Sequence, residues 1–252
     1  DILNLPNIPD RTDFILGKST QSPVPAIRGL RQKLEERGAD IIAMPCNTAF
    51  YFVDDIMEGS GIPIIHAIAE TGKCLKEAGV KKVGLLATDG TLATGLFSFL
   101  LAEFEIETIV PDDANQRLVM SMIYDDVKAG KLIEEEKLRT VETHLKDKGA
   151  EILILGCTEL TLAKRAGLAG TGYLDTLEVM ARKAVMECAV LKKEYEKLNK
   201  NLCGIREMEK LPQAVVIVDS TKEYNAIREA NILGIPVFGL IGTNCDPDNI
   251  DY

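Results

Sequence analysis

The 252-residue chain predicts an α/β fold of two pseudo-symmetric, parallel-sheet, three-layer half-domains with a site between them. Three observations carry this reading. Short aliphatic runs alternate with helical patterns, as in a parallel sheet with right-handed helical crossovers. The runs are continuously apolar, as strands covered on both faces are. One phrase also occurs twice, as Gly38-Ala39-Asp40-Ile41-Ile42-Ala43-Met44-Pro45-Cys46 and as Gly149-Ala150-Glu151-Ile152-Leu153-Ile154-Leu155-Gly156-Cys157. Each copy follows a charged, helix-like stretch, Leu30–Arg37 or Val141–Lys148, so each half presents one cysteine at the same structural point.

In chain order, strands are predicted at Ile41–Pro45, Ile62–His66, Lys82–Ala87, Ile106–Val110, Ile152–Gly156, Ala214–Asp219 and Pro236–Ile241. Helices are predicted at Pro25–Glu36, Ala67–Ala78, Ala114–Ala129, Glu134–Lys148, Thr176–Leu198 and Lys222–Leu233. Gly38, Gly79, Gly130, Gly149 and Gly234 stand where helix C-terminal stops belong. The turn at Gly79 opens the second half-domain. The helix from Thr176 is long, and its lysine- and glutamate-rich end, Leu191–Lys200, reads as a solvated connector.

At 46% hydrophobic and 27% charged, the composition is that of a soluble globular protein. A net charge of −10 argues against nucleic acid or an anionic membrane as partner, but not against a small anion held by local Lys and Arg. No apolar run reaches the roughly 18 residues that span a bilayer. The chain starts at Asp1 with no signal peptide, which reads as a trimmed or engineered start. Cys46, Cys74, Cys157, Cys188, Cys203 and Cys245 include no C-x-x-C pair, so a reducing cytoplasm is expected. Cys74 and Cys188 are expected on helical core faces. With only His66 and His144 and no tight Cys/His cluster, no metal site is expected.

Cys46 and Cys157 each end a buried strand just before a predicted helix, where open parallel sheets bind ligands. A helix N-terminus there lowers a thiol pKa and stabilises a carboxylate. Asn47, Thr48 and Thr158 are donors for that carboxylate, and Glu159 is placed to cap the helix or meet an ammonium group. Two thiols facing one cleft are a means of moving a proton from one side of a carbon to the other.

Met44-Pro45-Cys46-Asn47-Thr48-Ala49 and Leu155-Gly156-Cys157-Thr158-Glu159-Leu160 closely resemble the paired motifs of the aspartate/glutamate racemase family. Asn4–Thr12, Ile123–Gly130 and Leu174-Asp175-Thr176 resemble other segments of that family, and the resemblance spans about residues 2–190. It implies racemisation of an acidic amino acid without pyridoxal phosphate, metal or other cofactor, and it implies a homodimer. Cys46 and Cys157 would be the acid and base. Arg11 and Lys128 would be cationic substrate contacts, and Asn47, Thr48, Thr158 and Glu159 would complete the substrate site.

The chain departs from that family in three ways. Position 50 is Phe where the family usually has His. The family's opening strand, glycine-rich turn, helix and strand are lacking, which implies impaired activity. Residues from about 191 to 252 resemble small-subunit ribosomal protein number two instead, in Leu202–Met208, Leu211–Asp219, Leu233–Val237 and Thr243–Asp248. The expectation is a chimera in which the strand–helix–strand 214–241 replaces the missing one. The first half-domain is then 1–78 plus 176–252, and the second is 79–175. The alternatives are a recombined scaffold without required activity, and a related two-cysteine isomerase of hydantoin racemase or maleate isomerase type.

Overall fold

The computed structural model describes residues 1–202, 208, 210–218, 223–239 and 250–251. The chain divides into two compact units, Asp1–Val190 and Leu191–Tyr252.

The first unit begins with α1 (Arg11–Ile15), α2 (Val24–Glu36), β1 (Ile42–Ala43), a 3₁₀ turn at Asn47–Phe52, α3 (Val53–Met57), β2 (Ile64–Ile65) and α4 (Ala67–Glu77). It continues with β3 (Lys82–Leu86), α5 (Asp89–Thr94), α6 (Leu96–Ala102), β4 (Glu107–Ile109), α7 (Asp113–Ser121) and a π-helical turn at Met122–Val127. Then come α8 (Glu135–Asp147), β5 (Ile152–Leu155), a 3₁₀ turn at Thr158–Leu160, α9 (Thr161–Arg165), β6 (Tyr173–Asp175) and α10 (Thr176–Leu202), whose residues from Leu191 on belong to the second unit. The second unit contains β7 (Val215–Ile217), α11 (Tyr224–Leu233) and β8 (Val237–Gly239).

All described strand pairs are parallel, in sheets ordered β1-β2, β4-β3-β5-β6 and β7-β8. The doubled phrase marks a doubled arrangement. In both copies a helix leads into a strand, a cysteine, a 3₁₀ turn, a short helix, a second parallel strand and another helix. Gly38 and Gly149 end the leading helices at φ 78° and 95°, a left-handed backbone that glycine adopts without steric cost.

The four-stranded sheet is the middle of three layers, because successive strand residues point to opposite faces. Leu153 and Leu155 join Leu86, Val119, Leu138 and Leu145 in one cluster, under α7 and α8. Ile154 joins Val83, Leu85, Ile68, Phe97 and Leu101 in the other, under α4 and α6. In the second unit, Ile217, Ile227, Ala230 and Val237 form a separate small core, and Asp251 Oδ2 accepts from Val237 N at 2.8 Å.

The strands are shorter than expected. The predicted helix 114–129 is α-helical only to Ser121 and then widens into the π turn. β6 was not expected: its three residues follow Gly170-Thr171-Gly172 and form no apolar run of their own. Cys74 and Cys188 are exposed rather than in the core. The buried face of α4 runs through Ala67, Ile68, Thr71 and Leu75, and Cys74 turns out of it. Cys188 lies beyond Met180, the last buried residue among the described side chains of α10. Cys203 and Cys245 lie outside the described residues, as do the outer ends Asp219 and Ile241 of two predicted strands. No helix among the described residues is long and apolar enough to cross a membrane.

Gly84 sits in β3 where an added Cβ would lie 2.5 Å from Leu153 Cδ2 and 3.0 Å from Leu145 Cβ. Gly84→Val should therefore destabilise the fold by about 1–3 kcal/mol through overpacking. Urea unfolding followed by circular dichroism reads this as a lower midpoint.

Candidate active site

Cys46 and Cys157 both leave the C-terminal ends of parallel strands in extended backbone, Cys46 at φ −153° and Cys157 at φ −137°. Each precedes a 3₁₀ turn rather than a full α-helix, so the expected helix N-terminus is only a short turn. They meet in one cleft of about 70 Å³, which Arg11, Thr48, Lys128, Thr158 and Glu159 also line. The two turns are fastened together by Asn47. Its amide nitrogen donates to Gly156 O at 3.0 Å and to Thr176 Oγ1 at 2.7 Å, and Thr176 Oγ1 donates to Leu155 O at 3.0 Å. Asn47 was expected to hold a carboxylate, but its amide hydrogens serve this bridge instead.

Thr48 joins a buried cluster of hydroxyls. It lies 2.8 Å from Thr91 Oγ1 and 3.3 Å from Thr88 Oγ1, and Thr12 Oγ1 donates to Thr88 Oγ1 at 3.2 Å. Sequence reasoning missed Thr12, Thr88 and Tyr124 in the cleft wall and Thr91 just behind it. A signal existed in Ala87-Thr88-Asp89-Gly90-Thr91, a strand end running into a helix start like the two cysteine turns. Gly90 permits the close approach, since a Cβ there would lie 2.7 Å from Thr12 Cα. Phe50 is buried and packs its ring 4.4 Å from that of His66, so this position belongs to the core. Burial pushes the His66 pKa down, and its Nδ1 accepts from Ala69 N at the start of α4.

The cleft is electrostatically lopsided. Burial works against the Arg11 charge, yet the neighbouring Cys46 sulfur, together with Asp10 and Glu159, holds the guanidinium pKa above its ordinary value. Lys128 lies 3.8 Å above the Tyr124 ring and 3.7 Å from Asp10 Oδ2. Burial opposes its charge too, but Tyr124, Glu159 and Asp10 raise its pKa. On the other side, Cys157 Sγ donates to Glu159 Oε2 at 2.9 Å, and Thr158 Oγ1 donates to the same oxygen at 3.1 Å. Burial first, then the Glu159 charge and hydrogen bond, then Cys46, push the Cys157 thiol well above the usual thiol range. Glu159, expected to cap a helix or meet an ammonium group, is the hydrogen-bond partner of a cysteine.

Residues 1–184, more than half of the chain, match the family described as Asp/Glu/Hydantoin racemase. The chain belongs to that racemase family. Residues 171–252 match Ribosomal protein S2. Among solved structures, the racemase-family chain is similar to an aspartate racemase of Picrophilus torridus, at 29% identity and a TM-score of 0.62. That match covers 74% of this chain and 78% of the other. It is also similar to an aspartate racemase homologue of Pyrococcus horikoshii, at 27% identity and a TM-score of 0.59, over 70% of this chain and 80% of the other. The three-layer parallel α/β architecture is thus the fold of a racemase, and the chain is an enzyme of that class.

The environment of Cys157 sets its reactivity. Only the thiolate is alkylated, so at about pH 8 iodoacetamide should label Cys157 slowly. Glu159→Gln removes a negative charge and a charged acceptor, lowers the thiol pKa and should speed Cys157 labelling severalfold, read by peptide mass spectrometry.

Proposed function

We propose that the chain is a cofactor-independent racemase of small acidic amino acids, aspartate or glutamate, with Cys46 and Cys157 as its two acid/base groups. The observation that carries this reading is the pairing of opposite charges with the two sulfurs of one cleft: Arg11 beside Cys46, and Glu159 beside Cys157. In one direction Cys46, beside Arg11, removes the α-proton. Cys157, held as a thiol, gives a proton to the opposite face, and the roles exchange in the reverse direction. The carbanion beside a carboxylate needs positive charge and donors, which Arg11, Lys128 and Thr48 supply, and Thr158 joins them once its hydroxyl turns from Glu159 to the substrate.

The proposal includes a chimeric origin and a cytoplasmic location, the latter in keeping with four free thiols among the described residues. In it, 1–78 with 176–252 form one half-domain and 79–175 the other. Among the described residues β1-β2 is a sheet of two strands. β7, α11 and β8 have the parallel strand–helix–strand form that a replacement requires. A second reading is favoured by one observation. A cavity of about 390 Å³, walled by Ile27, Leu30, Leu34 and Ile42, reaches Arg11 and Cys46, which suits a hydantoin with an apolar substituent.

Chiral chromatography of L-aspartate, L-glutamate and a 5-benzyl hydantoin tests both. Racemisation of an acidic amino acid is expected, with a loss of about 10²-fold or more in Cys46→Ala and in Cys157→Ala. Unaltered turnover in either variant refutes the two-base assignment. Turnover of the hydantoin alone selects the second reading, and none with any substrate selects a scaffold without activity.

A further inference from the structure

Lys128 and Tyr124 reach the cleft from the π turn, where Lys128 N bonds to Ile123 O at 3.0 Å, five residues back. An α-helical turn would bond it to Tyr124 O, four back, and rotate everything beyond by about 100°. π turns are rare and concentrate at functional sites, so something must hold this one. Tyr124 and Lys128, four residues apart, share the face towards the cleft. Asp126, midway between them, lies on the opposite face and is 2% exposed.

Asp126 has its partners on α8 and its lead-in. Lys137 Nζ meets both carboxylate oxygens, at 2.8 and 3.0 Å, and Glu134 N donates to Oδ2 at 3.4 Å. The Asp126 carbonyl accepts from Lys131 N at 2.8 Å, which closes the bend that follows Lys128. A buried carboxylate is tolerated only while paired, because removing one partner of a buried pair strands the other charge.

We propose that the Asp126–Lys137 pair is a positioning device that locks the π turn and thereby keeps Lys128 over Tyr124 and in the substrate cleft. Asp126 touches no substrate and acts through Lys128. The inference rests on the reading of Lys128 as a substrate contact for its functional consequence, but not for its structural one.

Two readouts separate these. The first is the rate at which trace acetic anhydride acetylates Lys128. Asp126→Asn should raise it several-fold as the amine leaves Tyr124 and Asp10, and Lys137→Arg, which keeps the charge, should not. The second is the L-aspartate dissociation constant, read as protection of Cys46 from iodoacetamide. Asp126→Asn and Lys128→Met should each weaken binding about tenfold, and the double variant also about tenfold, because residues acting as one unit are not additive. An unchanged acetylation rate in folded Asp126→Asn, or a hundredfold loss in the double variant, overturns the inference. If Asp126→Asn fails to fold, the Asp126→Asn/Lys137→Gln pair, which leaves no buried charge, is read against the same two outcomes. Should Lys128→Met leave binding unchanged while Asp126→Asn still raises acetylation, the substrate-contact reading of Lys128 falls and the positioning inference stands.

Discussion

The cleft exists because the side chain of Asn47 is fastened to the end of the opposite strand. Asn47 follows one cysteine, and the carbonyl it binds, Gly156 O, precedes the other. Its second hydrogen bond, to Thr176, reaches the start of α10, so one buried amide joins both cysteine turns and the last helix of the racemase unit. An unpaired polar group buried here would cost about 1–3 kcal/mol. That cost makes the face-to-face placement of the two turns the favourable one. Everything chemical in the cleft, from the hydroxyl cluster around Thr48 to the carboxylate on Cys157, is referred to this fixed geometry.

Within that frame the two halves are alike in backbone and unlike in charge. Both cysteines end parallel strands and enter 3₁₀ turns. What differs is the third group: a guanidinium contributed by α1 stands beside Cys46, and a carboxylate two residues away stands beside Cys157. A two-base racemisation needs one sulfur as base while the other is acid, and the roles exchange with direction. Burial and Glu159 push the Cys157 thiol well above the usual thiol range, which favours its protonated form.

The doubled Gly-Ala-acid-aliphatic-Cys phrase made the strand–cysteine–turn unit, its repetition and the pairing of Cys46 with Cys157 legible in the sequence. Thr48, Thr158 and Glu159 were legible from their places beside the two cysteines, and Arg11 and Lys128 through family resemblance; all line the cleft. Three features were hidden, each for a physical reason. β6 is too short for a hydrophobic period and exists because Leu153–Leu155 offer it a bonded edge. The π turn depends on a pair eleven residues apart, Asp126 and Lys137, which no local propensity encodes. The role of Asn47 was misread because its partners, Gly156 and Thr176, lie more than a hundred residues away in sequence.

Two thiols on opposite faces of one carbon leave an isotopic signature that a single base does not. With protium-bearing L-aspartate in deuterium oxide, one cysteine removes the α-proton and the other delivers a solvent-derived deuteron. Early in the reaction the D-aspartate formed should carry deuterium at Cα, while the remaining L-aspartate stays protiated. The mirror result should follow from D-aspartate. Deuterium appearing equally fast in recovered substrate and in product would mean that one group serves both faces, and would contradict the facing-cysteine mechanism.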